Sequence, residues 1–188
     1  SAGYELYDLK LATENNLVIT NVPSYSPESI AEYTVLTGLN LVRNNNTIIA
    51  NIAKNDFRWQ PSICGRVMGD MKVAIIGTGR IGQITARLFH GFGCELTGFD
   101  LYQNEGIKSI LTYKDSIEEA VKDADIVSIH MPATADNRHC FNYEMFQKFK
   151  PGSILLNMAR GSIVDTEGLL KALDEGILSG AGIDTYEY

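Results

Sequence analysis

The sequence has few cysteines, no excess of basic residues and no long apolar run. Its three cysteines, Cys64, Cys94 and Cys140, are scattered and lack CxxC spacing, so we interpret them as free thiols in a reducing compartment. No apolar run approaches the roughly 18 residues of a membrane-spanning helix. Sixteen Lys and Arg against 23 Asp and Glu give a net charge of −7, which opposes non-specific binding to nucleic acid or anionic lipid. We expect a cytoplasmic protein that binds neither membrane nor nucleic acid.

The length and composition favour a folded domain. The 188 residues are 45% hydrophobic and 21% charged, which provides enough apolar surface for a core and fits one domain. The sequence starts without a Met and without the basic and apolar regions of a signal peptide. We therefore expect a piece of a longer protein.

Helical patterns dominate the first 70 residues. Ser26 is a good N-cap residue and Pro27 suits the first helical position, so a helix is predicted from there to about Arg43. Its apolar residues lie around much of the circumference, which predicts that the helix is covered on two sides. Three other elements are predicted nearby: a short helix at the spacing of Leu6, Leu9 and Ala12, a strand over Leu17–Thr20, and a second helical stretch to about Asp56.

From Met71 onward, short apolar runs alternate with helical patterns. Predicted strands cover 73–76, 95–99, 110–113, 126–130, 154–157 and 181–184, and predicted helices cover 81–93, a stretch from 116, 142–149 and 166–175. Continuous apolar strands separated by helices indicate a parallel sheet that is covered on both faces. The predicted fold class is therefore α/β, a doubly wound parallel sheet preceded by a helical segment.

A glycine-rich loop follows the first of these strands. The sequence GTGRIG, with Gly77, Gly79 and Gly82, matches GxGxxG between a buried strand and an amphipathic helix, the context of Rossmann-type dinucleotide binding. The three glycines permit a tight turn, a close approach of backbone to pyrophosphate, and helix-on-strand packing. The helix N-terminus then presents free N–H groups to phosphates. The alternative is a purely structural glycine turn.

An aspartate ends the second strand of this region. Asp100 lies 18 residues after Gly82, where a carboxylate accepts hydrogen bonds from both ribose hydroxyls and repels a 2′-phosphate. Neither Leu101 nor Tyr102 supplies a cation that would neutralise such a phosphate. The pattern thus favours NAD over NADP, and the alternative role for Asp100 is a capping residue.

Polar residues follow the later strands, at the sheet edge where ligands of such folds bind. Arg160 comes directly after the strand at 154–157. Its planar fork suits a carboxylate and can polarise a carbonyl, and the alternative is a salt bridge with a surface acid. Asp184 fits a hydrogen bond to nicotinamide or a turn cap. His130 ends a strand and His139 lies in a polar loop, and neither stands out as a proton donor.

Three blocks together resemble the D-isomer-specific 2-hydroxyacid dehydrogenases, and bacterial D-lactate and D-2-hydroxyisocaproate dehydrogenases in particular. They are the phosphate loop with Asp100, the run NMARGSIVDT from Asn157, and the run GIDTYE from Gly182. The run NVPSYSPESIAE from Asn21 is similar to the segment that enters their cofactor domain. The matches follow the family order along nearly the whole chain.

The resemblance implies the division of the chain and the roles of its residues. Residues 1–25 would lead in from a substrate domain that is missing, 26–70 would form a helical segment used for dimerisation, and 71–188 would form the Rossmann core. Arg160 would bind the carboxylate and carbonyl of a 2-oxo acid, with Tyr25 beside the substrate. Cofactor contacts are implied for the loop glycines and for Arg80, Ile81, Asp100, Met131, Pro132, Asn137, Met158, Ala159, Arg160 and Asp184. No metal is implied.

The departures from the family pattern concern proton transfer. The resemblance implies a catalytic histidine and a glutamate beyond the motif that ends in Glu187, and Glu187 itself matches the acid just before that glutamate. We therefore expect a homodimeric NAD-dependent oxidoreductase that reduces a 2-oxo acid such as pyruvate to the D-2-hydroxy acid, represented here by a domain that is inactive alone.

Two alternatives belong to other functional classes. A non-catalytic NAD-sensing or corepressor module would use the same fold, but it would not require Arg160. A methyltransferase would use a similar sheet, but the long gap from GxGxxG to Asp100 argues against it. Binding of NADH in preference to S-adenosylmethionine separates the dehydrogenase from the methyltransferase.

Overall fold

The computed structural model describes residues 3–4 and 7–187. Its strands are β1 (Lys72–Ile76), β2 (Glu95–Phe99), β3 (Thr112–Tyr113), β4 (Ile126–Ile129), β5 (Ser153–Asn157) and β6 (Leu178–Ile183). Its helices are α1 (Leu9–Glu14), α2 (Pro27–Val42), α3 (Asn45–Ala53), α4 (Arg80–Gly91), α5 (Ile117–Val121), α6 (Tyr143–Phe146) and α7 (Thr166–Asp174). Strands and helices alternate from β1 onward, as the sequence predicts, except that a short 3₁₀ turn at Glu105–Ile107 joins β2 to β3.

The six strands form one parallel sheet in the order β3-β2-β1-β4-β5-β6. Every residue of β4 and β5 is buried, because helices cover both faces and leave no face for water. The chain moves outward from β1 through β2 to β3 and then returns to place β4 on the other side of β1. This reversal creates a crevice at the carboxyl ends of β1 and β4, where ligands of such sheets bind.

Helix α2 packs against α4 and the β5–β6 side of the sheet. Its buried residues include Ala31 and Val35, whereas Tyr33 and Leu36 are 49% and 52% exposed. One side of the helix is therefore covered within the described chain, and the predicted cover on the second side stays a prediction. Ser26 occupies the N-cap position, but its hydroxyl contacts that of Ser29 instead of a helix amide.

The predicted strand over Leu17–Thr20 is wrong. This segment is irregular and exposed, and Val18 is 89% exposed. Branched side chains favour an extended backbone, but a strand also needs a neighbouring strand to pair with. The described sheet ends at β3 and β6, and neither pairs with this segment.

The short helix α1 is confirmed, although Leu6 of its pattern lies outside the described residues. The described part of the chain has no helix with the length and apolar character needed to span a bilayer.

A carboxylate joins the amino ends of the central strands, opposite the crevice. Asp125 precedes β4, accepts a hydrogen bond from the Lys72 amide at 3.0 Å, and pairs with the Lys150 ammonium at 2.8 Å and with Arg66 at 3.6 Å. Burial raises the pKa of Asp125, but the bonds from Lys150 and the Lys72 amide outweigh it, so the pKa lies below its ordinary value. The ionised carboxylate therefore stabilises the fold.

We expect Asp125→Asn to lower the free energy of unfolding at pH 7 by about 1–2 kcal/mol, because it removes a buried carboxylate that accepts charged hydrogen bonds from two exposed cations. Since the folded-state pKa is depressed, this stabilisation is present above the unfolded pKa of about 3.9 and is lost as pH falls through the folded value. Urea unfolding at pH 7 and pH 3.5 measures both effects. The exposed Asp123→Asn is the matched control, and a deficit that does not shrink in acid would contradict the assignment.

Candidate functional site

The glycine loop forms one wall of the crevice. Gly77 has φ of +92°, and a Cβ at this position would lie 2.6 Å from the Met131 amide nitrogen, so only glycine permits this turn. A Cβ on Gly82 would collide with the carbonyl oxygen of Gly77. These two glycines therefore have the turn and packing roles that the motif predicts.

Gly79 differs from its neighbours because it faces open space. A Cβ built on it would meet no atom within 4 Å, and it is the N-cap of α4 without a capping side chain. The first amides of α4 are thus left for another acceptor. No contact within the protein therefore explains why residue 79 is glycine. Its position at a helix N-terminus that faces a crevice fits the close approach of a pyrophosphate to the backbone.

A cavity of 560 Å³ lies beside the loop. It is lined by Gly77, Gly79, Asp100, Met131, Pro132, Asn137 and Cys140, among others, and its described lining includes no Lys or Arg. Leu101 and Tyr102 border it with side chains 82% and 86% exposed. A mainly apolar cavity whose lining carries two carboxylates, Asp100 and Asp136, and no described cation suits an adenosine without a 2′-phosphate.

The Asp100 carboxylate is held in place by the protein. One oxygen accepts hydrogen bonds from the Thr78 amide at 2.5 Å and the Thr78 hydroxyl at 3.1 Å, and the other accepts from the Tyr102 amide at 3.0 Å. A carboxylate offers about four acceptor positions, so one is left for an incoming hydroxyl. The sequence pattern located Asp100, but it gave no signal for Thr78, which occupies a variable position of the motif.

The loop after β4 is closed by one of the implied cofactor residues. Asn137 accepts a hydrogen bond from the Thr134 amide at 2.8 Å, and its side-chain amide donates to the Pro132 carbonyl at 2.8 Å. This pairing holds Met131 and Pro132 over the crevice. Asn137 thus shapes the loop that lines the cavity.

A second cavity, of 320 Å³, lies at the other end of the crevice. It brings together residues from five parts of the sequence, including Tyr25, Arg80, Ile81, Met158, Ala159, Arg160 and Asp184. A third, of 220 Å³, shares Met131 and Pro132 with the first cavity and Met158, Ala159 and Arg160 with the second. The three cavities therefore form one continuous crevice along the carboxyl edge of the sheet.

Arg160 is half-buried where the crevice ends. Its guanidinium donates to the Ala159 carbonyl at 2.9 Å, and the Asn157 side-chain amide donates to the Arg160 carbonyl at 2.9 Å. The next residue, Gly161, lies so close to Tyr186 and Glu187 that a Cβ would overlap their backbone. The segment after β6 therefore crosses directly over the loop that carries Arg160.

His130 is unsuited to donate a proton. Its Nε2 shares a hydrogen bond of 2.8 Å with the Ser128 hydroxyl, and its Nδ1 is buried without a hydrogen-bond partner. Burial lowers the pKa of His130 to about 3, so the ring is neutral at neutral pH. An acid or base that works at pH 7 needs a pKa much closer to 7.

His139 takes part in a contact that the sequence did not reveal. It pairs with Glu187, which also accepts from the Arg138 guanidinium at 2.6 Å. The hydrogen bond from His139, followed by that from Arg138, holds the pKa of Glu187 below its ordinary value. These residues tie the loop after β4 to the segment after β6.

Across the described ranges, no group of three or more His, Cys, Asp and Glu side chains is arranged to bind a metal.

Comparisons with known proteins agree with this geometry. Residues 35–188 match the family model described as D-isomer specific 2-hydroxyacid dehydrogenase, NAD binding domain. The chain is 60% identical over 188 residues to a D-lactate dehydrogenase of Streptococcus pyogenes serotype M1, and 50% identical over 187 residues to one of Staphylococcus aureus. It is fully covered by both, but it spans only 57% and 56% of their lengths.

Solved structures show the same fold. A D-lactate dehydrogenase from Treponema pallidum aligns with a TM-score of 0.90 at 42% identity. One from Aquifex aeolicus, complexed with NAD and lactic acid, aligns with a TM-score of 0.91 at 34% identity. Each alignment covers 100% of this chain and 56% of the other. The resemblance, the Rossmann-type fold and the cofactor NAD are thereby confirmed, and the chain belongs to the D-isomer specific 2-hydroxyacid dehydrogenases as their NAD-binding domain.

Proposed function

We propose that this chain is the cofactor domain of an enzyme that reduces a 2-oxo acid such as pyruvate to the D-2-hydroxy acid. The observation that carries the proposal is the position of Arg160, a permanent cation in the cavity that adjoins the dinucleotide crevice. A module that only senses NAD has no need of this cation, and the relatives named above are dehydrogenases.

The residues of the crevice would hold NAD from end to end. Asp100 would accept one hydroxyl of the adenosine ribose at its remaining acceptor position, and the amides of α4 beside Gly79 and Arg80 would bind the pyrophosphate. Ile81, Met158 and Ala159, together with Met131 and Pro132, would enclose the nicotinamide, with Asp184 near its carboxamide. NADH, when bound, supplies the hydride for the reduction.

Arg160 would bind and polarise the substrate. Its guanidinium can form two parallel hydrogen bonds to a carboxylate or divide them between a carboxylate and the adjacent carbonyl. Negative charge grows on the carbonyl oxygen during reduction, and a fixed cation stabilises it. Tyr25 lines the same cavity, in keeping with its implied place beside the substrate.

The proton would come from groups outside this chain. His130 is held neutral by burial, and Glu187 is occupied by Arg138 and His139. The proposed reaction therefore requires an acid from another part of the enzyme, and the 188-residue chain is expected to bind NAD without turnover.

Free cysteines at 64, 94 and 140 support the proposed cytoplasmic location, because thiols stay reduced there.

We also propose that the enzyme is a homodimer that uses the segment 26–70. Large apolar side chains of this segment are at least 49% exposed in the described chain: Tyr33, Leu36, Ile49, Ile52, Phe57, Trp59 and Val67. A surface of this kind is typical of a protein interface. A second copy of the chain would supply the predicted second cover of α2.

Replacement of Gly79 tests the crevice as the NAD site. Gly79→Ala is expected to lower the melting temperature by no more than about 4 °C, because its Cβ meets nothing in the protein and only the N-cap preference for glycine over alanine is lost. It is expected to weaken NADH binding by about tenfold or more, because that Cβ occupies the space of the pyrophosphate. Calorimetric titration of the chain measures the affinity. Gly91→Ala, where a Cβ also meets nothing, is the control; equal NADH affinity in both variants would refute the placement.

Replacement of Arg160 tests the substrate site. In the full-length enzyme, Arg160→Lys should lower kcat/KM for a 2-oxo acid by about 10- to 100-fold, since an ammonium cannot replace the planar fork. Steady-state kinetics with NADH gives this value, and the exposed Arg87→Lys on α4 serves as the control. Undiminished turnover of the Arg160 variant would end its assignment as the carboxylate-binding residue.

Replacement of Leu36 tests the dimer. Leu36→Glu should convert the enzyme from dimer to monomer at micromolar concentration, because a charge on the proposed interface must be desolvated. Sedimentation velocity reports the mass. Leu170→Glu on α7, a leucine of similar exposure (57% against 52%), should leave the dimer intact. A dimer that persists in Leu36→Glu would place the interface elsewhere.

A further inference from the structure

The hydroxyl of Thr78 links Asp100 to a tyrosine on the edge strand β3. The Tyr113 hydroxyl lies 2.8 Å from the Thr78 hydroxyl oxygen, which lies 3.1 Å from Asp100. The Tyr113 oxygen also accepts a hydrogen bond of 2.8 Å from the Asn104 amide. Four groups from three separate loops and strands thus form one chain of hydrogen bonds that ends on the carboxylate.

The direction of every hydrogen bond in this chain is fixed by chemistry. The Asn104 amide can only donate, so the Tyr113 oxygen accepts there and its own hydrogen is available for Thr78. The Thr78 hydroxyl accepts from Tyr113 and donates to Asp100. Such aligned hydrogen bonds polarise one another, which strengthens the last of them.

Burial of its central member limits the exchange of these hydrogen bonds with water. Thr78 is only 1% exposed, and Tyr113 and Asn104 are half-buried. The Asn104 side-chain oxygen is used by the Gly106 amide at 2.9 Å, which fixes the turn that supplies the first donor. The orientation of the Asp100 carboxylate is therefore set before any ligand arrives.

We propose that Tyr113 is a positioning residue that acts through Thr78 on Asp100 and thereby sets the preference for NAD over NADP. The inference rests on the proposed contact between Asp100 and the ribose. A carboxylate that rotates freely can turn away from a 2′-phosphate, whereas one that is held in place meets that phosphate with its full charge. A fixed carboxylate also receives the ribose hydroxyl without losing rotamer freedom at the moment of binding.

The test is Tyr113→Phe in the full-length enzyme, with NADH and NADPH as the titrated ligands. Because the Tyr113→Phe variant lacks one hydrogen bond, its Kd for NADH should be about 3- to 10-fold higher. The ratio of the NADPH Kd to the NADH Kd should fall at least threefold. General loosening of the fold would weaken both ligands alike and leave this ratio unchanged, and that result would overturn the proposal. Tyr143→Phe, which removes a tyrosine hydroxyl bonded to Glu175 at 2.6 Å, is the matched control.

A double-mutant cycle with Asp100→Ala shows whether Tyr113 acts through the carboxylate. In that background, Tyr113→Phe should no longer change the affinity for NADH. If the loss persists in full, Tyr113 acts by another route and the proposal is wrong. If Asp100→Ala alone leaves the NADH affinity and the ratio unchanged, the proposed ribose contact fails, and the role of Tyr113 fails with it. A large effect of Asp100→Ala beside a silent Tyr113→Phe would overturn only the positioning role.

Discussion

The parallel alignment of the six strands determines where the sheet can hold a ligand. Parallel strands send all their carboxyl ends to one edge, and the chain reverses its direction across the sheet between β1 and β4. The loops there must diverge and leave a crevice. The glycine loop, Asp100 and Arg160 each follow a strand that ends at this edge, so residues as distant in sequence as Gly77 and Arg160 line one crevice.

Much of the fold could be predicted because its strands are buried on both faces. A strand such as Ile126–Ile129 is apolar at nearly every position, and that signal is local. The sequence of an edge strand indicates less clearly that a strand will form. The strand at Thr112–Tyr113 exists because Thr97 and Gly98 pair with it, whereas the similar run at Leu17–Thr20 pairs with none of the described strands and is irregular. Pairing is a property of the assembled sheet, so a local pattern cannot distinguish the two.

The candidate site likewise has features that a local sequence pattern predicts and features that only the folded chain reveals. GxGxxG and the arginine after β5 are local signals with a direct physical meaning, and the sequence located both. The contacts that hold them in place are not local: Thr78 and Tyr113 are separated by 35 residues, and Arg138 and Glu187 by 49. The neutral state of His130 likewise depends on burial, which only the folded chain produces. Spacing thus identifies the groups that are proposed to bind the ligand, and the tertiary structure identifies those that orient them.

Gly161 shows how a position can be constrained without any role in chemistry. The segment after β6 leaves no volume for a side chain at this residue. In a saturation-mutagenesis library, position 161 should therefore tolerate as few replacements as Arg160 beside it. Depletion scores alone would rank the two residues equally, although Gly161 is constrained by the lack of space for a side chain and Arg160 by the charge that it is proposed to supply. Abundance measured alongside activity separates them, because the glycine is required by the packing of the fold and the arginine by the proposed binding of substrate.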